Sequence, residues 1–268
     1  MEPRKQKEQE HANKLKTLLK EAQDKEKVAS NKKFYSITRS NRDCVEKRVA
    51  EGITDGKKVL DYCCGAGEIS ISLSKLGADV IGVDISDVSV KNAKENAVKA
   101  GLKGKLLFLI MDGENLEFEK DTFDTIICSG VLHHLDINKA YAELARVLKP
   151  NGEVICNEPL AYNPLFQLYR KLTPGLRTKW EAEHILSKES IDSSKKYFNK
   201  MEMRFYHLTT ILAVPFRHTP YFNRILSIFE AIDSALLKLP LLKWMAWQII
   251  FIVSEPKGKI KLKEEDHD

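Results

Sequence analysis

Asp61 and Asp84 stand where two apolar runs stop, with a glycine-bearing turn between them. The first run, through Val59 and Leu60, reads as a buried strand, and a helical pattern begins at Glu68. Between them Gly65 and Gly67 allow a ligand to lie against bare backbone. Asp84 closes the second run, Val80-Ile81-Gly82-Val83. In a doubly wound sheet that position faces the ribose of a nucleoside bound across the strand ends. Two carboxylate oxygens there match two vicinal hydroxyl donors. Asp61 narrows the choice of nucleoside. A carboxylate at the end of the first strand repels a pyrophosphate but holds a ribose that carries a cationic amino-acid tail. Groups able to move a proton come later in the chain: His133 and His134 just past the fourth apolar run, then His184 and His207.

The elements that must position these residues alternate between strand and helix. Strands are expected near 58–62, 79–84, 105–111, 123–129 and 152–158. The first intervening helix carries Ile69, Leu73 and Leu76 on one face and ends at Gly77. Ser86 is a candidate N-cap for the second, which carries Val90, Ala93 and Ala97 and stops at Gly101, and Asp136 for a third with Ile137, Ala140, Leu144 and Leu148. A turn is expected at Pro150-Asn151-Gly152. Such alternation predicts a parallel sheet covered on both faces. Ahead of it, a Lys-, Glu- and Gln-rich helix with Leu15, Leu18, Leu19 and Ala22 on one face is followed by a second helix over roughly 41–50. After Glu158 the pattern loosens. Leu165, Leu168, Tyr169 and Leu172 share one helical face, Met203 to His207 predicts a sixth strand, and Trp247 to Ser254 a seventh, antiparallel one. The connection between these last two is long and apolar, with Ile211, Leu212, Val214, Phe216, Phe222, Ile225, Leu226, Ile228 and Phe229. It is expected to fold over the carboxyl ends of the sheet and, with residues 160–198, to enclose an apolar chamber in which Arg204, Tyr206, His184 and His207 orient a polar handle.

The ordered motifs resemble those of class I S-adenosylmethionine-dependent methyltransferases over residues 57–158. Val59-Leu60-Asp61-Tyr62-Cys63-Cys64-Gly65-Ala66-Gly67 matches the family's first motif, and Gly82-Val83-Asp84-Ile85-Ser86 its second. Met111-Asp112-Gly113 matches the acidic turn after the third strand, and Phe123 to Ser129 the fourth strand. Val131-Leu132-His133-His134-Leu135 and Leu144 to Gly152 match the helix and turn after that strand. One departure is Cys63, where most members carry glycine; its thiol narrows the cleft floor near the methionine part of the cofactor. The resemblance implies a Rossmann-like, doubly wound α/β fold with a seven-stranded, mostly parallel sheet, N-terminal helices and a helical insertion before the last strand. The implied organisation is a helical cap over 1–56, a cofactor-binding core over 57–160, acceptor-side helices with two strands over 161–257 and a charged tail over 258–268. It also implies a cofactor site of Asp61, Tyr62, Cys63, Gly65, Gly67, Asp84, Ile85, Met111, Asp112, Gly113, Ser129 and His134. In it Asp61 serves the amino group, Asp112 the adenine amine, and Ile85 packs on the ring. Candidate catalytic bases are His133, His134 and His184, with a structural role in packing or capping as the alternative for each. No metal is expected.

Composition bounds the rest. A chain of 268 residues, 43% hydrophobic and 30% charged, suits one globular domain with elaborations. The net charge of +5 comes mainly from the Lys-rich start and reads more readily as a solvated face than as an anion-binding one. Five scattered cysteines without metal-ligand spacing point to reduced thiols in a cytoplasmic protein. A charged start without an apolar core gives no signal peptide, and no run of ~20 uncharged apolar residues spans a membrane. Ser129-Gly130-Val131 replaces the Asn- or Asp-Pro-Pro-aromatic motif used to grip planar amines, and basic clusters interleaved with aromatics are few, so nucleic acid is not an expected partner. The expected reaction is methyl transfer to a small, partly hydrophobic acceptor, at oxygen first; Leu236 to Trp247 suits an apolar acceptor pocket or peripheral membrane contact, with an extra helical layer on the sheet a more ready reading than the membrane. The sequence leaves the oligomeric state open. Three rivals remain: an RNA or protein methyltransferase, a nicotinamide-dependent oxidoreductase, against which Asp61 and Ser70 at the third glycine position count, and a cofactor-binding module without turnover.

Overall fold

Runs rich in Val and Ile, buried on both sides, form the strands of a single sheet, as parallel pairing under two helical layers requires. The computed structural model describes residues 2–21, 31–52, 56–102 and 106–258. Its strands are β1 (Lys58–Tyr62), β2 (Asp79–Asp84), β3 (Leu106–Ile110), β4 (Phe123–Ser129), β5 (Leu148–Pro159), β6 (Phe198–Tyr206) and β7 (Gln248–Pro256). They lie in the order β3-β2-β1-β4-β5-β7-β6. The first five pair in parallel, and β7 runs antiparallel to both β5 and β6. The order reverses between β1 and β4, where Asp61 pairs with Ile127 and Tyr62 with Cys128. A crevice therefore opens at the carboxyl ends of those two strands.

The helices are α1 (Pro3–Glu21), α2 (Arg39–Gly52), α3 (Glu68–Lys75), α4 (Asp87–Lys99), α5 (Ile137–Val147), α6 (Pro164–Leu172), α7 (Lys179–Glu183), α8 (Lys188–Asp192) and α9 (Phe222–Leu236). Side-chain alternation divides the core. Val59, Val80, Ile127 and Ile155 face Val49 of α2 and Leu73 of α3. Leu60, Tyr62, Ile126 and Cys128 face Tyr141, Leu144 and Val147 of α5. The caps expected from the sequence are in place. Ser86 accepts from the Ser89 amide and Asp136 from those of Asn138 and Lys139, each cap worth about 1 kcal/mol. Gly77 and Gly101 follow α3 and α4 at φ 95° and 71°.

Three expectations shift. Strand β5 starts at Leu148 and takes in the Pro150-Asn151-Gly152 stretch expected as a turn, with a register irregularity where Phe123 meets Leu148. Strand β6 begins at Phe198, five residues before the expected start at Met203, because an edge strand with Lys200, Glu202 and Arg204 along it gives little hydrophobic signal. Leu165, Leu168 and Leu172 of α6 lie exposed, while Phe166 of the same helix is buried. Phe166 stacks on Trp247 with ring centroids 4.4 Å apart and thereby sets the docking face. Ile211, Val214 and Leu226 join that cluster beside Phe34 and Ile37 of the preceding 3-10 turn (Asn31–Ile37), so the long connection packs on α6 and this turn. The α1 residues Leu15, Leu18 and Leu19 have no described side chains; Ala22 and the tail after Gly258 lie outside the described residues. No helix among the described residues is long and apolar enough to cross a membrane.

Candidate functional site

Strand ends and the turn after β1 build the floor of the crevice. Gly65 and Gly67 adopt left-handed φ values of 53° and 77°, and so does Cys63 at 57°. A left-handed residue carrying a Cβ is strained, which accounts for glycine at this place in the resembling family. Burial pushes the Cys63 thiol well above its ordinary range, so it stays protonated. Asp61 is buried, and its Oδ2 accepts from the backbone amide and the hydroxyl of Ser70, at 3.0 and 2.5 Å. Burial raises its carboxyl to about 6 despite the opposing Ser70 bonds, and Asp84 adds to the rise. Ser70, the residue that stands where a dinucleotide fingerprint has its third glycine, is thus the anchor that aims Asp61. Asp84 is half-buried at the end of β2 and accepts from the amides of Gly65 (2.9 Å) and Ser86 (2.8 Å). It ties the glycine turn to the start of α4.

Beyond β3, the Met111-Asp112-Gly113 turn is fixed from below. The Tyr62 phenol is fully buried and donates to the Gly113 carbonyl at 2.7 Å. Tyr62 supports the turn rather than facing the cleft. A Cβ on Gly113 would stand 2.9 Å from that phenol, so glycine is required there. Ile85 and Ser129 are half-buried at the ends of β2 and β4.

Helix α1 lies across this floor and is held by polar contacts. Arg4 donates to both carboxylate oxygens of Glu114, at 2.6 and 2.7 Å, and to the His134 carbonyl at 3.2 Å. Lys5 donates to Asp112 at 2.6 Å, and Gln9 to the Ile85 carbonyl at 2.8 Å. Asn13 meets Ser86 and Asp87. Acceptors suited to an adenosine thus already take N–H donors from α1. Asp61, Asp84, Asp112 and the Ile85 carbonyl form a set of acceptors that fits a ligand with ribose hydroxyls, an amine-bearing base and a cationic tail, as S-adenosylmethionine has.

On the opposite wall, two histidines and three carboxylates meet. Val131 and Leu132 donate their amides to Glu158 Oε1, at 2.8 and 3.0 Å, while Glu158 Oε2 lies 2.9 Å from His133 Nδ1. Glu158 is completely buried at the end of β5 and His133 is 6% exposed. His133 Nε2 faces Glu181 of α7 at 4.0 Å. His134 Nδ1 lies 2.9 Å from Glu8 of α1, whose other oxygen accepts from Thr178. Burial pulls the His134 imidazole down, but the Glu8 bond and nearby carboxylates outweigh it and the net shift is upward. Tyr35 is 58% exposed. Yet burial is the main cause that raises its phenol, followed by the carboxylates of Glu181, Glu158 and Glu68.

His133 and His134 are thus brought together. His184 is not: it is exposed and stacked on Trp180, ring centroids 3.7 Å apart. Arg204 and His207 are engaged elsewhere. Arg204 donates to Cys44, while His207 is buried between Asn41 and Thr210. Glu158, Glu181, Tyr35 and α1's Lys5 were not among the expected site residues. Glu158 had a signal, since it closes an apolar strand in the way Asp61 and Asp84 do. Glu181 and Tyr35 sit in short helical pieces, α7 and the turn Asn31–Ile37, that carry none.

Comparisons with known proteins agree with this geometry. A family model described as a methyltransferase domain matches residues 53–205, more than half of the chain. A ubiquinone/menaquinone biosynthesis C-methyltransferase of Rickettsia massiliae (strain Mtu5) is 37% identical over 107 residues, covering 37% of this chain and 43% of the relative. The mitochondrial ubiquinone biosynthesis O-methyltransferase of Schizosaccharomyces pombe is 34% identical over 133 residues, covering 49% and 45%. The chain thus spans less than half the length of these curated relatives. Among solved structures, magnesium protoporphyrin IX methyltransferase from Synechocystis PCC 6803, with bound S-adenosylhomocysteine, superposes with a TM-score of 0.58 at 19% identity over 94% of this chain and 99% of that one. That likeness speaks for the fold. With the matched domain spanning the carboxylate-lined crevice, the chain belongs to the methyltransferase-domain family, that of the class I S-adenosylmethionine-dependent methyltransferases.

Proposed function

We propose that this S-adenosylmethionine-dependent methyltransferase acts on a small, partly hydrophobic acceptor and methylates it at oxygen. The observation that carries the reading is the buried His133–Glu158 pair at the wall of the cleft. The cofactor supplies a methyl group on a sulfonium, already activated for transfer. What remains for the protein is alignment, exclusion of water and removal of the acceptor's proton.

Glu158 spends one oxygen on two backbone amides and the other on His133 Nδ1. That arrangement fixes the ring and places the proton on Nδ1, leaving Nε2 as the acceptor of a hydroxyl proton. The exposed ring of Tyr35 offers an acceptor apolar surface, with its phenol as a polar contact. A carbon acid flanked by hydroxyls, as in a hydroquinone ring, would use the same base, and the two ubiquinone-pathway relatives include one enzyme named for each outcome. Substituted phenols and hydroquinones with a hydrophobic tail are therefore the first acceptors to screen, by homocysteine release coupled to mass analysis of the product. An oxygen-methylated product is expected, with His133→Ala losing about 10²–10⁴-fold in turnover while S-adenosylhomocysteine still binds. A His133→Ala enzyme with full turnover would remove the base from this scheme.

A further inference from the structure

We propose that His133, His134 and Glu181 form a binding site for a divalent transition-metal cation, with Zn²⁺ the fitting example. Each offers one ligand atom, and these atoms lie within 4.8 Å of one another. Two imidazoles and a carboxylate are the donors a zinc ion takes when it keeps a fourth position open. The outer contacts match as well. A metal-bound histidine ordinarily gives its other ring N–H to a carboxylate. Here both do: His133 Nδ1 meets Glu158 and His134 Nδ1 meets Glu8, each at 2.9 Å. Both Nε2 lone pairs are thereby left for the cluster.

Charge points the same way. Glu8, Glu158 and Glu181 surround the two rings, and Arg177 Nε lies 3.7 Å from Glu181. Arg4, which touches the His134 carbonyl, is committed to Glu114. Three carboxylates thus crowd one largely buried pocket. A divalent ion there would offset part of that negative charge. Metal–ligand bonds of about 2.0–2.2 Å put tetrahedral ligand atoms about 3.4 Å apart, so the triangle must contract. Turning Glu181 from Arg177 toward the rings would shorten the two edges of the triangle that it forms. The ion would also tie α7 to the 3-10 turn Leu132–His134.

The site lies on the same wall as the proposed acceptor, but its existence does not rest on that placement. A bound cation takes the Nε2 lone pair that His133 otherwise offers. In return it lowers the proton affinity of a hydroxyl at the fourth position, whose proton then leaves to water.

The test uses the full chain after chelator treatment and dialysis, without acceptor. Calorimetric titration with Zn²⁺ should show one ion per chain, and Zn²⁺ should raise the melting temperature. Affinity should fall at least ~100-fold in Glu181→Gln and in His134→Ala, since losing even an outer partner costs 10–100-fold. Circular dichroism checks that both variants are folded. Co²⁺ should give visible bands of nitrogen and oxygen ligation without the near-ultraviolet thiolate band that binding at Cys63 or Cys64 would produce. Absence of Zn²⁺ binding, equal affinity in both folded variants, or a thiolate band would overturn the inference. A chain that binds Zn²⁺ here yet methylates no acceptor would leave it standing and sink the acceptor reading instead.

Discussion

At the scale of single residues, each acidic side chain of the crevice has a structural duty besides its expected ligand. Asp84 is the clearest case, because the amides of Gly65 and Ser86 both end on its carboxylate. Asp84→Ala should therefore do two things. Loss of a charge-assisted pair of ribose hydrogen bonds, about 1.5–3 kcal/mol each, should weaken S-adenosylhomocysteine binding by at least about tenfold. Stranding two amides should also lower the melting temperature. Asp84→Asn keeps an acceptor for one amide and should melt closer to the wild type while binding about as poorly as Asp84→Ala. Calorimetry and thermal melting on the pair separate the two roles; Asp84→Ala with wild-type affinity would move the ribose elsewhere. The carboxylates were legible because an acidic residue ending an apolar run is costly unless it is used. Ser70's grip on Asp61 was not legible, since a serine in the first turn of a helix looks the same whether or not a strand end lies beneath it.

At the scale of elements, the parallel half of the sheet and a helix ahead of it could be read from periodicity and caps, but the way α1 docks could not. Its sequence advertises an apolar face over 15–22, and the contacts that hold it among the described residues come from Arg4, Lys5, Glu8, Gln9 and Asn13. Polar docking leaves no period in hydrophobicity, so only the structure shows which partners the helix finds. Similarly, the dockings of α6 and α9 depend on Trp247 and Phe34, which arrive from distant segments. The polar docking of α1 has a consequence for binding. Lys5 holds the Asp112 carboxylate that the adenine amine is proposed to use. Opening a partly exposed ion pair costs about 1 kcal/mol, so Lys5→Met should tighten S-adenosylhomocysteine binding about fivefold, with Arg4 and Gln9 still anchoring the helix. Titration calorimetry reads this directly. Weaker binding in Lys5→Met would instead place the lysine in contact with the bound cofactor.

At the scale of the whole molecule, the edge where β5, β7 and β6 meet the long connection is joined by a buried polar network. Asn41 of α2 donates to Asn157 at 3.1 Å and to Gln248 at 2.7 Å. Its carbonyl oxygen lies 3.1 Å from His207 Nε2, and His207 Nδ1 lies 3.1 Å from the Thr210 hydroxyl. A neutral ring that donates from Nε2 to Asn41 and accepts at Nδ1 from Thr210 satisfies every partner, and burial lowers the His207 imidazole from 6.5 to about 3. The sign of the linkage is set by that depression. As pH falls below 6.5 the unfolded chain takes up a proton that the folded one refuses, so stability present above 6.5 is lost toward pH 3. By pH 4.5 the loss amounts to about 2–3 kcal/mol. Asp61 works the other way, because its raised carboxyl binds a proton more tightly in the folded state and adds stability as pH falls through about 6. The wild-type profile alone therefore mixes two opposed slopes, and the informative quantity is a difference. His207 sits at φ 66°, a left-handed backbone that asparagine tolerates. His207→Asn keeps an amide that can donate and accept, and it carries no titrating group. Whatever offset it has at pH 7.5, its stability relative to wild type should improve by about 2–3 kcal/mol between pH 7.5 and 4.5, measured by urea unfolding at each pH. A constant difference across that range would mean that His207 charges in the folded protein and that the network admits water.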